Sequence, residues 1–233
     1  MQWQQLAGAL FGAGHTIRAD GDFLHGTGAV DGNTLAVIGT TGHAAIGVEL
    51  ALAQSRAVLD TIDRWPGRPI LLLIDTQGQQ LRRRDELLGI NRAMAHLGMA
   101  IDLARRQGHR VLGLVYDQAL SGGFITSGLA ADACYALPEA EIRVMRIPAM
   151  ARVTKLPEAM LTDLSQSNPV FAPGVGNYVA MGGIQGVWHG DLAQALRAAL
   201  RQRSEGDSRA ADGLARGGRR LAATVIQQVL DAA

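Results

Sequence analysis

Residues 109–128 read HRVLGLVYDQALSGGFITSG. The first nine residues read as a strand whose centre, VLGLVY (111–116), is a continuous apolar run of the kind buried on both faces. Two adjacent glycines, Gly122 and Gly123, follow where that strand leaves the sheet, and residues 123–131 then read as the start of a helix. An earlier stretch repeats the pattern. PILLLIDTQGQ (69–79) is a second continuous apolar strand running out into Gly78. Strand followed by helix, with connections long enough to join parallel neighbours, predicts an α/β fold.

Outward from these two exits, NTLAVIGT (33–40) reads as a further strand, and residues 48–65 as a helix stopped by Pro66-Gly67. Val48, Leu52, Ser55, Leu59 and Ile62 are expected to share its inner face. Residues 84–108 read as one long helix ended by Gly108, with Leu87, Ile90, Met94, Leu97, Ile101 and Leu103 or Ala104 inward. ACYALP, AEIRVM and IQGVW (184–188) are short strands, and residues 156–164, 173–183, 191–203 and 213–233 are helical. Residues 1–33 are expected to cover the body with short strands and turns. The expected division is a main domain over 1–203 and a helical extension over 204–233, set at a subunit interface.

Bulk properties narrow the function classes. The chain has 233 residues, 48% hydrophobic and 18% charged, with 29 glycines and only 4% aromatic residues. Scarce aromatics argue against a base-stacking surface, and a formal net charge of +1 gives no general pull toward nucleic acid or membrane. The N-terminal residues lack the basic start and apolar core of a signal peptide, and no apolar run is long enough to span a bilayer. The single cysteine, Cys134, lies in an apolar setting, reads as a buried structural thiol, and fits a cytoplasmic location.

Several chemistries are tested and set aside. GAGHTI (12–17) lacks the third glycine of a dinucleotide loop. The pattern of a phosphate-binding P-loop is absent. The six histidines show no His-x-x-x-His spacing and no neighbouring cysteine, so no metal site is expected. Ser121 sits where a nucleophile elbow would place its serine, yet Ala119 stands where that motif wants glycine. What remains is the pair of glycine exits. Glycine lets a ligand oxygen approach backbone N–H groups with no Cβ in the way, and donors aimed at developing negative charge stabilise a transition state. Gly122 and Gly123 are the expected donors, with Gly78 supporting or completing the hole.

At these residues the chain resembles a known family. IDTQG before a charged helix, then SGGFITSGLAADACYALPEAEIRVM, is similar to the carboxyltransferase branch of the crotonase superfamily, over about residues 30–190. Within that branch it looks most like gamma subunits of biotin-independent malonate decarboxylase. The resemblance implies a crotonase-like fold of repeated β-β-α units, and an active site shared with a beta subunit. It implies a malonyl thioester on the phosphoribosyl-dephospho-CoA arm of an acyl-carrier subunit, loaded by an acyl-carrier transferase subunit, with no biotin and no cofactor held covalently by this chain. Decarboxylation of such a thioester sends charge onto an oxygen as an enolate, so it calls for oxyanion donors rather than a nucleophile or metal. By analogy with alpha-type halves of the relatives, this chain holds the carboxylate or CO2 end, although the thioester end stays open. Where the family's carboxylases carry I-D-T-P-G, this chain has Gln77, which puts the shape of the first exit in question.

Gln77 and Ser121 are further substrate-binding candidates. Arg82, Arg83 and Arg84 crowd a helix start, where positive charge opposes the dipole, which suggests that they grip a carboxylate, the carrier's phosphates or an acidic carrier protein. Two other readings stand beside the first. One is an acyl-CoA carboxyltransferase half or hydratase, for which Glu139 and Glu141 are the nearest acids. The other is a scaffold for a catalytic beta subunit.

Overall fold

The structure is a computed structural model that describes residues 1–167, 174–202, 206–218 and 220–232. Among the described residues, nine strands form one mixed sheet: β1 (Arg18–Asp20), β2 (Phe23–Val30), β3 (Asn33–Thr40), β4 (Ala44–Ile46), β5 (Ile70–Gln79), β6 (Val111–Leu120), β7 (Ala133–Ala136), β8 (Glu141–Arg143) and β9 (Gly186–Val187). The main path runs β1-β2-β3-β5-β6-β7-β9. From β3 onward neighbours on this path are parallel, while β1, β2 and β3 form an antiparallel meander.

Two short strands complete the pattern. β4 pairs with the far end of β5, and β8 with the far end of β6. Each long strand thus exchanges one neighbour for another before it leaves the sheet. This is the β-β-α repeat of the crotonase-like fold.

Helices cover both faces. On one side α1 (Trp3–Phe11) and α9 (Leu192–Arg201) bury Leu6, Leu10, Leu192 and Leu196 against Leu71, Leu73, Leu112 and Leu114. On the other, α2 (Val48–Arg64) and α4 (Ile90–Arg106) lay Val58, Leu97 and Ile101 over Ile38, Ile70 and Leu72. Alternate residues of β5 feed opposite cores, as the period of a strand requires.

Three helical expectations change ahead of β6. Residues 1–33 begin with α1, because Leu6, Ala7, Leu10 and Phe11 make one helical face. The long helix expected over 84–108 is two: α3 (Arg83–Leu87) ends at Leu88, and α4 restarts after Gly89 at φ 79°, a conformation that favours glycine. Leu87 accordingly stays exposed, while Ile90, Met94, Leu97, Ile101 and Ala104 are buried as expected. In α2 the inner stripe is Ala51, Gln54, Ser55, Val58 and Thr61, rotated from the expected one, and Leu52 is exposed. Small residues allow α2 to lie close to its neighbours there.

Beyond β6 come α5 (Ser121–Ile125), a single 3₁₀ turn at Gly128–Ala130, α6 (Ile147–Thr154), α7 (Glu158–Ser167) and α8 (Val175–Ala180). The helix expected over 213–233 is split into α10 (Arg209–Ala215) and α11 (Arg220–Asp231). α10 seats tightly on α8 and the turn after it: a Cβ at Gly213 would stand 2.4 Å from the Met181 carbonyl oxygen. The expected boundary at 203–204 lies outside the described residues. Among the described residues no helix is long and apolar enough to cross a membrane.

Candidate active site at the paired strand exits

The two glycine exits are in contact. A Cβ on Gly123 would stand 3.2 Å from the Gly78 Cα and 2.7 Å from the Thr76 hydroxyl oxygen. A Cβ on Gly78 would stand 3.0 Å from the Ser121 Cβ. Parallel pairing of β5 with β6 carries both strand ends to one place, with Thr76 opposite Ala119.

At the β6 exit, Gly122 and Gly123 are the second and third residues of α5, where helix amides lack partners within the helix. Among the described residues neither amide has a protein acceptor. Gly122 is half-buried and Gly123 buried. Ser121 enters α5 at φ 52°, a strained setting for a residue with a Cβ. Behind the glycines, Thr126 and Ser127 donate their hydroxyls to the carbonyls of Gly122 and Gly123 at 2.9 and 2.7 Å. These bonds fix the peptide planes.

The β5 exit is built differently. The Gly78 amide donates to the Thr76 hydroxyl at 3.0 Å, and that hydroxyl donates to the Ala44 carbonyl at 2.7 Å. Gly78 therefore has no free donor here, and its part narrows to support: at φ 103° it permits the close approach of Ser121. Gln77 is the extra residue of a β-bulge, since Ala44 pairs with Thr76 and Ala45 with Gly78. Its side chain is exposed. A bulged residue is left out of the regular ladder, a position that tolerates proline as well as glutamine.

The three arginines are not one cluster. Arg82 Nε lies 2.7 Å from Asp85 Oδ2, and Arg84 Nη1 lies 2.5 Å from Glu49 Oε1. Asp85 is fully buried and also accepts the Val48 amide at the start of α2, at 3.0 Å. The Arg82 hydrogen bond, followed by that amide, holds the Asp85 carboxyl below its ordinary value. Arg82 and Arg84 thus tie α3 to α2. Arg83 is exposed and, among the described residues, has no ion-pair partner. Glu139 is exposed, and Glu141 is occupied by Gln118, Arg143 and Arg146.

One group escaped sequence reading. His43, Asp75 and Asp117 converge at a register shift between β5 and β6, where Ile74 pairs with Val115 but Thr76 pairs with Ala119. Burial, above all, raises the Asp75 carboxyl above its ordinary range. Spacing rules miss this group because its members lie far apart in the chain. A signal did exist: Asp75 and Asp117 each end an apolar strand run, ILLLID and VLGLVYD. Cys134 is buried, and burial pushes its thiol up to about 12, so it is no nucleophile.

Parallel β-β-α units meeting at glycine exits define a chain of the crotonase-like fold. The malonate decarboxylase hetero-tetramer of Pseudomonas, solved with coenzyme A, shares the fold at 24% identity, with a TM-score of 0.81 over 98% of both chains. Transcarboxylase 12S shares it at 20% identity, with a TM-score of 0.71 over 87% of this chain and 43% of that one. The sequence pattern of the malonate decarboxylase gamma subunits matches residues 41–233, and the chain belongs to that family. It is also 34% identical over 149 residues to the malonyl-S-ACP:biotin-protein carboxyltransferase MADD of Malonomonas rubra, a match over 60% of this chain. The chain spans about half the length of that curated relative, 51% of which is matched.

Proposed function

We propose that this chain, with a beta subunit, decarboxylates a malonyl thioester carried on an acyl-carrier protein, leaving the acetyl thioester and CO2. The observation that carries the reading is the pair of unpartnered amides at Gly122 and Gly123, packed directly against the neighbouring strand exit. The bond between the malonyl methylene and its carboxylate breaks, and its electron pair moves into an enolate. CO2 leaves, and a proton then closes the acetyl group. Amides held in place beforehand favour the developing charge over the ground state.

The family supplies the remaining parts of the proposal. The malonyl group rides on a phosphoribosyl-dephospho-CoA arm attached by an acyl-carrier transferase subunit, in the cytoplasm, with no biotin involved. A protein partner is also supported by α11, which exposes Leu221, Val225, Ile226, Val229 and Leu230.

The kinship with a biotin-protein carboxyltransferase favours a second reading, in which the carboxyl group passes to biotin instead of leaving as CO2. Co-expression with a beta subunit, followed by release of labelled CO2 from a malonylated carrier with and without avidin, tests both. Release that ignores avidin is expected. Release abolished by avidin selects the second reading, and no release from an intact complex sinks the first.

A further inference from the structure

His43, Asp75 and Asp117 come from three segments: the turn before β4, the end of β5 and the bulge of β6. Asp75 and Thr76 are consecutive in a strand, so their side chains point to opposite faces, and the group lies behind the glycine exits. The backbone amide of His43 donates to Asp75 Oδ2 at 2.9 Å and fixes the carboxylate. The other oxygen, Asp75 Oδ1, has no hydrogen-bond partner among the described residues, although the Asp75 side chain is only 4% exposed. That orphaned oxygen faces the His43 ring, with Nε2 3.7 Å away. The same Nε2 lies 3.3 Å from Asp117 Oδ1.

We infer that His43 Nε2, Asp75 Oδ1 and Asp117 Oδ1 form a binding site for a first-row divalent cation of the zinc type. A tetrahedral ion of that kind holds N and O ligands at about 2.0–2.2 Å, which sets neighbouring donors about 3.3–3.6 Å apart. The two separations measured from Nε2, 3.3 and 3.7 Å, fall at and just beyond that edge, and one ligand atom from each of the three residues lies within 4.8 Å of the others. Two carboxylates and a neutral imidazole carry the charge that a dication balances, and imidazole disfavours calcium and magnesium. A bare ion pair explains less. With the single Nε2–H directed at Asp117, whose other oxygen faces the Met1 amino group at 3.8 Å, the buried Asp75 Oδ1 is left with the Gln118 backbone nearby but no hydrogen bond of good geometry. His43 and Asp117 are 52% and 39% exposed, so the site opens to solvent, with the buried Asp75 as its floor. Bound metal would tie the turn before β4 to both long strands.

Zinc titration of the full chain against a chromophoric chelator tests the site, with Ca²⁺ as the control cation. The expected result is one Zn²⁺ lost at least tenfold in affinity in His43→Ala and in Asp117→Asn, both substitutions at solvent-accessible positions. The wild-type protein gives an independent readout, because Zn²⁺ should move the His43 imidazole resonances. Failure of the wild-type chain to bind, undiminished binding by both variants, or unmoved His43 resonances each overturns the proposal.

Discussion

The exits of β5 and β6 look alike in sequence and differ in what their amides do. Each follows a buried parallel strand, and each carries glycine. At β5 the Gly78 amide is satisfied by Thr76, and Arg82 and Arg84 downstream are held by Asp85 and Glu49. At β6 the amides of Gly122 and Gly123 have no protein acceptor among the described residues, while Thr126 and Ser127 brace the carbonyls. One exit is a support and the other presents donors. A glycine in a motif therefore says little until the partner of its N–H is known.

The sharpest way to break this contrast is to remove the Gly122 N–H. In the assembled complex, Gly122→Pro should lower kcat by roughly 10²–10³, the range for losing one oxyanion donor. Gly122→Ala keeps the amide, and its Cβ would meet only the movable ends of Met94 and Gln79, at 3.3 and 3.5 Å. It should cost far less, so equal losses in the two variants would count against the amide. At the supporting exit the effect should fall on stability. Gly78→Ala places a Cβ at φ 103° against Ser121 and should destabilise the fold by about 1–3 kcal/mol in urea unfolding.

A smaller effect comes from Asp85. Its carboxyl titrates below the ordinary range in the folded chain, so its contribution is present above about pH 4 and fades as pH falls through the folded value. Asp85→Asn should therefore lower Tm by at least about 3 °C at pH 7, with the gap from wild type closing in acid. The smallest change is expected at Arg83. Arg83→Ala should leave stability within about 0.5 kcal/mol, yet weaken the salt dependence of carrier-protein affinity. The same substitution at Arg82 should act on stability, since its partner Asp85 is buried.

The strands that build the sheet were legible because Ile70–Ile74 and Val111–Tyr116 are apolar without interruption, as burial on both faces demands. The family was legible from the exits that follow these strands, IDTQG and SGGFITSGLAADACYALPEAEIRVM. Less visible were features decided by packing. The face of α2 is rotated toward Ala51 and Val58 and away from Leu52, and α1 was missed although Leu6, Ala7, Leu10 and Phe11 trace its stripe. The arginine run reads as one functional unit, but Arg82 and Arg84 are each held by a carboxylate brought near in space, and only Arg83 has no ion-pair partner among the described residues. His43 meets Asp75 and Asp117 only through strand register, which no local pattern encodes.

The bulge at Gln77 has a practical consequence. Because the ladder steps over this residue, its side chain points outward while Thr76 and Gly78 on either side keep their pairings. A cysteine placed there would be reachable for a fluorophore, whereas the native thiol of Cys134 is sealed in the core. The label would stand within two residues of the support beneath the donor amides, and would report on the arrival of a partner subunit or carrier arm without altering the strands beneath it.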